Sequence, residues 1–124
     1  MPTVATWNVN SIRARFEHLE RWLADAAIDV VALQETKVQD DAFPHAELAA
    51  LGFECAAAGQ KSYNGVAVLA RRPLHVLARA LPGFDDPQAR VLAVALDDFM
   101  LLNLYVPNGS TVGSDKYAYK LAWL

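Results

Sequence analysis

Asn8, Glu35 and the Lys61-Ser62-Tyr63-Asn64-Gly65 turn carry the groups that could do chemistry, because each stands where a strand-like run stops or starts. Asn8 lies in Trp7-Asn8-Val9-Asn10 after Thr3-Val4-Ala5-Thr6. Glu35 lies in Leu33-Gln34-Glu35-Thr36-Lys37 after Ile28-Asp29-Val30-Val31-Ala32. Polar groups at strand ends gather along one rim of a sheet, where a hard cation and a phosphate can be held together. One carboxylate and one amide oxygen suit Mg²⁺, which prefers oxygen ligands and keeps several waters. The set is half of what phosphodiester chemistry needs.

Each residue also has a plainer role. Asn is an ordinary turn residue after a strand. Glu35 alone suits a solvated carboxylate or a helix-start contact, and Lys37 alone a surface lysine. Asn64-Gly65 favours a tight bend, and Arg90 reads as a solvated strand end. Tyr105-Val106-Pro107-Asn108-Gly109 reads as a core aromatic running into a turn. His18, His45 and His75 show no metal-ligand spacing, and Cys55 is a small semi-buried hydrophobe.

Positioning these groups falls to a mixed set of elements. A strand over Thr3 to Trp7 leads into a helix in which Phe16, Leu19, Trp22, Leu23 and Ala26 recur at helical spacing. Ile28 to Leu33 is almost continuously apolar, as expected of a central strand covered on both faces. Phe43-Pro44 opens a short helix that Gly52 closes. Strands then follow over Phe53 to Ala58, Gly65 to Ala70, Leu74 to Arg79, Val91 to Leu96 and Phe99 to Val106. Asp97-Asp98 is the loop of a hairpin, Pro82 to Pro87 is an aperiodic loop, and Ser114 to Leu124 has a helical pattern. That last pattern stops in mid-stride at Leu124, so the chain is expected to be the first half of a longer domain, with no linker inside 1–124.

With 124 residues, 54% hydrophobic and 20% charged, the chain can build a core and is not expected to be disordered. A net charge of −3 argues against indiscriminate polyanion binding through overall charge, but not against a local phosphate grip. The single cysteine rules out an internal disulfide and suits a reducing, cytoplasmic compartment. No apolar run approaches the ~20 residues that span a bilayer, so no membrane partner is expected.

Four segments in order, Trp7-Asn8-Val9-Asn10-Ser11-Ile12-Arg13, Leu33-Gln34-Glu35-Thr36-Lys37, Gly59-Gln60-Lys61 through Gly65-Val66-Ala67, and Tyr105-Val106-Pro107-Asn108, resemble the N-terminal half of the exonuclease III family of apurinic/apyrimidinic endonucleases. The resemblance implies an α/β fold: half of a four-layer α/β-sandwich, with one mixed sheet, helices on one face and a bare inner face. It implies that Glu35 and Asn8 hold Mg²⁺, with Mn²⁺ as an alternative. Asn10 would lie near the phosphate or its water, and Tyr105 with Asn108 would orient the phosphate. Arg13, Lys37, Tyr63, Asn64 and Arg90 would contact the DNA backbone. The implied partner is duplex DNA with abasic sites or 3′ ends, cut 5′ to the abasic site or degraded 3′ to 5′. The family's second half supplies a Gly-Asp-x-Asn segment and an Asp-His pair that are not in this sequence. This chain alone is therefore expected to be inactive and to self-associate through the bare face. The competing expectations are a non-catalytic DNA-binding or interaction module and a phosphatase for small phosphoesters.

Overall fold

Strand residues alternate in direction with a period of two, and this chain places apolar side chains on both faces of its central strands. The structure, a computed structural model, describes residues 3–25, 27–60, 63–79, 88–97 and 99–106. Its elements are β1 (Val4–Asn8), α1 (Phe16–Asp25), β2 (Val30–Gln34), a 3-10 turn at Asp40–Ala42, α2 (His45–Ala50), β3 (Glu54–Ala58), β4 (Val66–Ala70), β5 (His75–Ala78), β6 (Val91–Ala95) and β7 (Met100–Leu104). Each strand lies within two residues of the run that predicted it. The Pro82–Pro87 loop, Asp98 of the hairpin loop, Lys61, Ser62, Asn108 and the Ser114–Leu124 pattern lie outside the described residues.

The α/β-sandwich class is as expected, but the single sheet is not. Two sheets form, a mixed one in the order β1-β2-β4-β3 and an antiparallel one in the order β5-β6-β7. β1 and β2 run parallel because α1 returns the chain between them, whereas β2, β4 and β3 are antiparallel neighbours. The inner faces mate. Val30, Ala56, Ala58, Val66, Val68 and Ala70 of the first sheet pack on Leu92, Val94 and Leu101 of the second. With the inner face covered, the reason for expecting self-association through it disappears. What stays open among the described residues is the outer face of the second sheet, where Leu77, Met100 and Leu102 are 54%, 76% and 58% exposed.

The other face of the first sheet carries the helices. Val31, Leu33, Ala57, Ala67 and Leu69 meet Leu19 and Leu23 of α1 and Leu48 of α2. A ten-residue helix is marginal alone. Burying Leu19 and Leu23 completely contributes roughly 2–3 kcal/mol each and holds it down. Trp7 of β1 adds an edge-to-face contact with Trp22, 5.6 Å between centroids.

One polar side chain crosses the sandwich interior. Asn103 of β7, 3% exposed, donates from Nδ2 to the carbonyls of Leu33 and Ala67, each at 2.9 Å. Its Oδ1 accepts from Gln34 Nε2 at 2.9 Å, and that amide also reaches Thr6 Oγ1 at 2.9 Å. β7 is thereby fixed against β2 and β4.

Candidate active site

β1, β2 and β7 finish at the same end of the sandwich, where β4 and β6 begin. The backbone ladder continues past the strands. Val9 N–H donates to Gln34 O at 3.0 Å, Ser11 N–H to Glu35 O at 2.8 Å, and Ile12 N–H to Thr36 O at 3.0 Å. Thr36 and Lys37 donate in turn to the carbonyls of Gly65 and Asn64, at 3.2 and 2.8 Å. Gly65 N–H donates to Ala89 O at 2.8 Å, and Tyr105 N–H to Arg90 O at 2.9 Å, which carries the chain of contacts onto the second sheet.

This rim is strained. Asn10, Ser11, Glu35, Lys37 and Asn64 hold φ of 47°, 84°, 57°, 59° and 55°, and Gly65 holds 95°. A left-handed conformation costs an ordinary residue roughly 1–2 kcal/mol, and such residues persist only where their surroundings over-determine them. The ladder provides that determination. Gly65 is needed for a second reason: a Cβ there would collide with Thr36 Oγ1.

The strain aims side chains. Glu35 and Lys37 flank the buried Thr36, and their side chains are 23% and 29% exposed. Lys37 Nζ lies 2.6 Å from Asn10 Oδ1 and 3.9 Å from Glu35 Oε1. Asn8 Oδ1 accepts from the Asn10 N–H at 3.2 Å. Tyr105 arrives from the other sheet, and its phenol comes close enough to the Glu35 carboxylate to be influenced by it. Partial burial first, and then the Glu35 carboxylate, push the phenol above its usual pKa, against a smaller opposing effect of Arg90. The phenol is therefore a neutral donor throughout the physiological range.

Several sequence candidates meet here. Glu35, Tyr105, Asn10, Lys37 and Arg90 are joined by direct contacts, and Asn8 by its bond to Asn10. Arg90 is half-buried: its guanidinium lies over the Tyr105 ring at 4.7 Å, donates to Tyr105 O at 3.1 Å and to Gln88 Oε1 at 2.9 Å. Asn64 also looks inward, its amide donating to Gln60 Oε1 at 3.1 Å and Gln88 Oε1 at 3.4 Å. Tyr63 is 70% exposed, and Arg13 stands exposed in the turn before α1. Asn108 lies outside the described residues. Sequence reasoning missed Gln34, Gln60, Gln88 and Asn103, which position the rim. The one legible signal was Asn103, a lone amide within the apolar run Leu101-Leu102-Asn103-Leu104.

The donor set fits a hard divalent ion. It offers one accessible carboxylate and neighbouring amide oxygens, and an ammonium already sits against that carboxylate. Mg²⁺ is commonly held by one or two carboxylates with waters completing the shell. Among the described residues no group of three or more His, Cys, Asp or Glu gathers. Likewise, no helix among them is long and apolar enough to cross a membrane.

Comparison with known proteins gives the geometry a context. The pattern of the Endonuclease/Exonuclease/phosphatase family matches residues 5–124. Exodeoxyribonuclease III of Haemophilus influenzae is 37% identical over 111 residues, which cover 86% of this chain and 42% of that protein. An AP endonuclease from Archaeoglobus fulgidus superposes with a TM-score of 0.94 at 35% identity, over 99% of this chain and 48% of its own. The 3′ phosphatase NExo from Neisseria, solved with a product DNA hairpin, superposes with a TM-score of 0.90 at 40% identity, over 99% and 48%. The chain spans about half the length of the relatives it matches.

Proposed function

Because this chain belongs to the Endonuclease/Exonuclease/phosphatase family, we propose that it carries half of the active site of a Mg²⁺-dependent DNA phosphodiesterase of the exonuclease III type. The activity would be incision 5′ to abasic sites in duplex DNA, accompanied by 3′-to-5′ exonuclease or 3′-phosphatase action. One observation carries the proposal: Glu35 at the end of β2 and Tyr105 at the end of β7 come from different sheets and meet at one strained rim.

The roles follow from the side chains. Glu35 and Asn8 would hold Mg²⁺, or Mn²⁺ in its place. The ion, when bound, would supply positive charge against the charge that builds on phosphodiester oxygens during attack. Tyr105, kept protonated, would donate to a phosphate oxygen, and Arg90 braces its ring and carbonyl. Preset donors of this kind need no reorganisation at the moment of reaction. Asn10 would face the phosphate or its water, and Asn108 is proposed beside Tyr105. Arg13, Lys37, Tyr63, Asn64 and Arg90 are the residues proposed to border the DNA backbone, where contacts set position rather than sequence.

A general base must stand within hydrogen-bond reach of the attacking water, and we assign none among the described residues. The isolated chain is accordingly proposed to bind duplex without cutting it. The test uses a labelled abasic duplex with Mg²⁺ or EDTA, alongside Glu35→Ala. Salt-sensitive binding that abasic duplex competes and a small phosphoester does not, with no incision, is expected. Equal competition by the small phosphoester would remove DNA as the substrate. Metal-dependent cutting abolished by Glu35→Ala would mean that the site is complete as it stands.

A further inference from the structure

The Lys37 ammonium stands beside the Glu35 carboxylate, the group proposed above to hold the metal ion. The ammonium lies 2.6 Å from Asn10 Oδ1 and 3.9 Å from Glu35 Oε1. The placement is built in rather than a drift of a surface side chain. Residues 35 and 37 are both left-handed, and four backbone bonds from Ser11, Ile12, Thr36 and Lys37 hold that segment. Of the two groups it touches, Asn10 is neutral, so Glu35 alone supplies compensating charge among the described residues.

We propose that Lys37 is an internal counter-ion, which occupies the cation position beside Glu35 and must withdraw when a divalent ion binds there. This rests on the metal-dependent assignment of Glu35 made above.

Two physical features make lysine suited to the task. An ammonium is a compact charge on a flexible stem and can swing away, whereas a guanidinium would bind the carboxylate as a rigid fork. A partly exposed pair at 3.9 Å is also weak enough to be displaced. While Lys37 stays, it neutralises the carboxylate and repels a second cation. Once withdrawn, its charge is free to face an anion at the same rim. By linkage, whatever draws Lys37 off Glu35 strengthens cation binding by the same factor that cation binding favours the withdrawn lysine.

The test needs no turnover. Mn²⁺ binding to the full 124-residue chain is read from the loss of the free-ion electron paramagnetic resonance signal. Wild type, Lys37→Met, Lys37→Arg and Glu35→Gln are compared, with circular dichroism confirming the fold. Lys37→Met is expected to tighten the Kd about tenfold, as for removal of one adjacent like charge. Lys37→Arg should not tighten it, and Glu35→Gln should abolish binding. In parallel, the Lys37 Cε–Hε NMR signals of wild type should move as Mg²⁺ is added and stay still in Glu35→Gln. This arm decides the matter even if a Lys37 variant fails to fold.

Equal or weaker Mn²⁺ binding by a folded Lys37→Met, or Lys37 signals unmoved at saturating Mg²⁺, would overturn the proposal while leaving the metal assignment intact. No binding by wild type and Lys37→Met alike would overturn both. Tighter binding by Lys37→Met with no affinity for duplex would sustain the counter-ion and sink the DNA substrate instead.

Discussion

At the end of the sandwich where β1, β2 and β7 finish, five non-glycine residues hold left-handed backbone angles, and the side chains of three of them, Asn10, Glu35 and Lys37, are joined to one another. At the opposite end, where β3 begins and β4 finishes, the left-handed position among the described residues is Gly52, with φ of 92°. Gly52 N–H donates to Ala49 O and Phe53 N–H to Leu48 O, so α2 ends in a Schellman turn at little cost. Arg71 is equally settled there. It donates to Leu23 O and Ile28 O, at 2.9 Å each, and lies 4.3 Å over the Phe53 ring. One end minimises strain, and the other stores it beside half-exposed polar groups. Strain of this kind clusters at functional sites. The contrast supports placing the chemistry at the Glu35 end.

Paired substitutions test that contrast. The largest effect is expected from Gly65→Ala, where both the positive φ and the collision with Thr36 Oγ1 act. It should cost about 2–4 kcal/mol in urea denaturation. Gly52→Ala should cost only about 1 kcal/mol, because a Cβ there meets nothing nearer than Arg71 Nη1 at 3.8 Å. Equal losses at the two glycines would erase the distinction. Next comes Arg71→Met, which strips the donor from two carbonyls. A loss of about 1–2 kcal/mol is expected, with the Mn²⁺ affinity at Glu35 unchanged. The smallest effect has the opposite sign. Ser11→Gly relieves a φ of 84° and forfeits only a 3.3 Å bond from the Ala14 N–H, so stability should rise by about 0.5–1 kcal/mol. A loss of stability instead would show that the rim is not strained at that position.

The two ends also differ in how legible they were. Strand and helix limits followed from apolar periodicity and from Gly52, and Glu35 was visible as a strand-end polar group, whereas Tyr105 read by itself as a core aromatic and was singled out only through the family resemblance. The number of sheets was not visible. Val66, Val68 and Ala70 announce that they are buried, but alternation does not say against what, and here the partner is a second sheet. Long side chains were the other gap. Lys37 and Arg90 read as solvated ends, yet a left-handed φ turns Lys37 onto Asn10, and Tyr105 gathers in Arg90. Those directions depend on backbone sign and cross-sheet neighbours, which a sequence pattern does not encode.

Asn103 makes the mating of the sheets discrete. Apolar faces alone tolerate sliding, since one methyl group replaces another. A slip of β7 by two residues, about 7 Å, would carry the Asn103 amide off Leu33 O and Ala67 O and leave buried polar groups without partners. The sheets therefore have a single notch. Tyr105 follows Asn103 by two residues, just past the end of β7 and toward the same core, so its reach to Glu35 is metered from inside the sandwich. Under the proposed function, the rim would exchange its own contacts, an ammonium for an ion or a carboxylate for a phosphate, and keep its spacing.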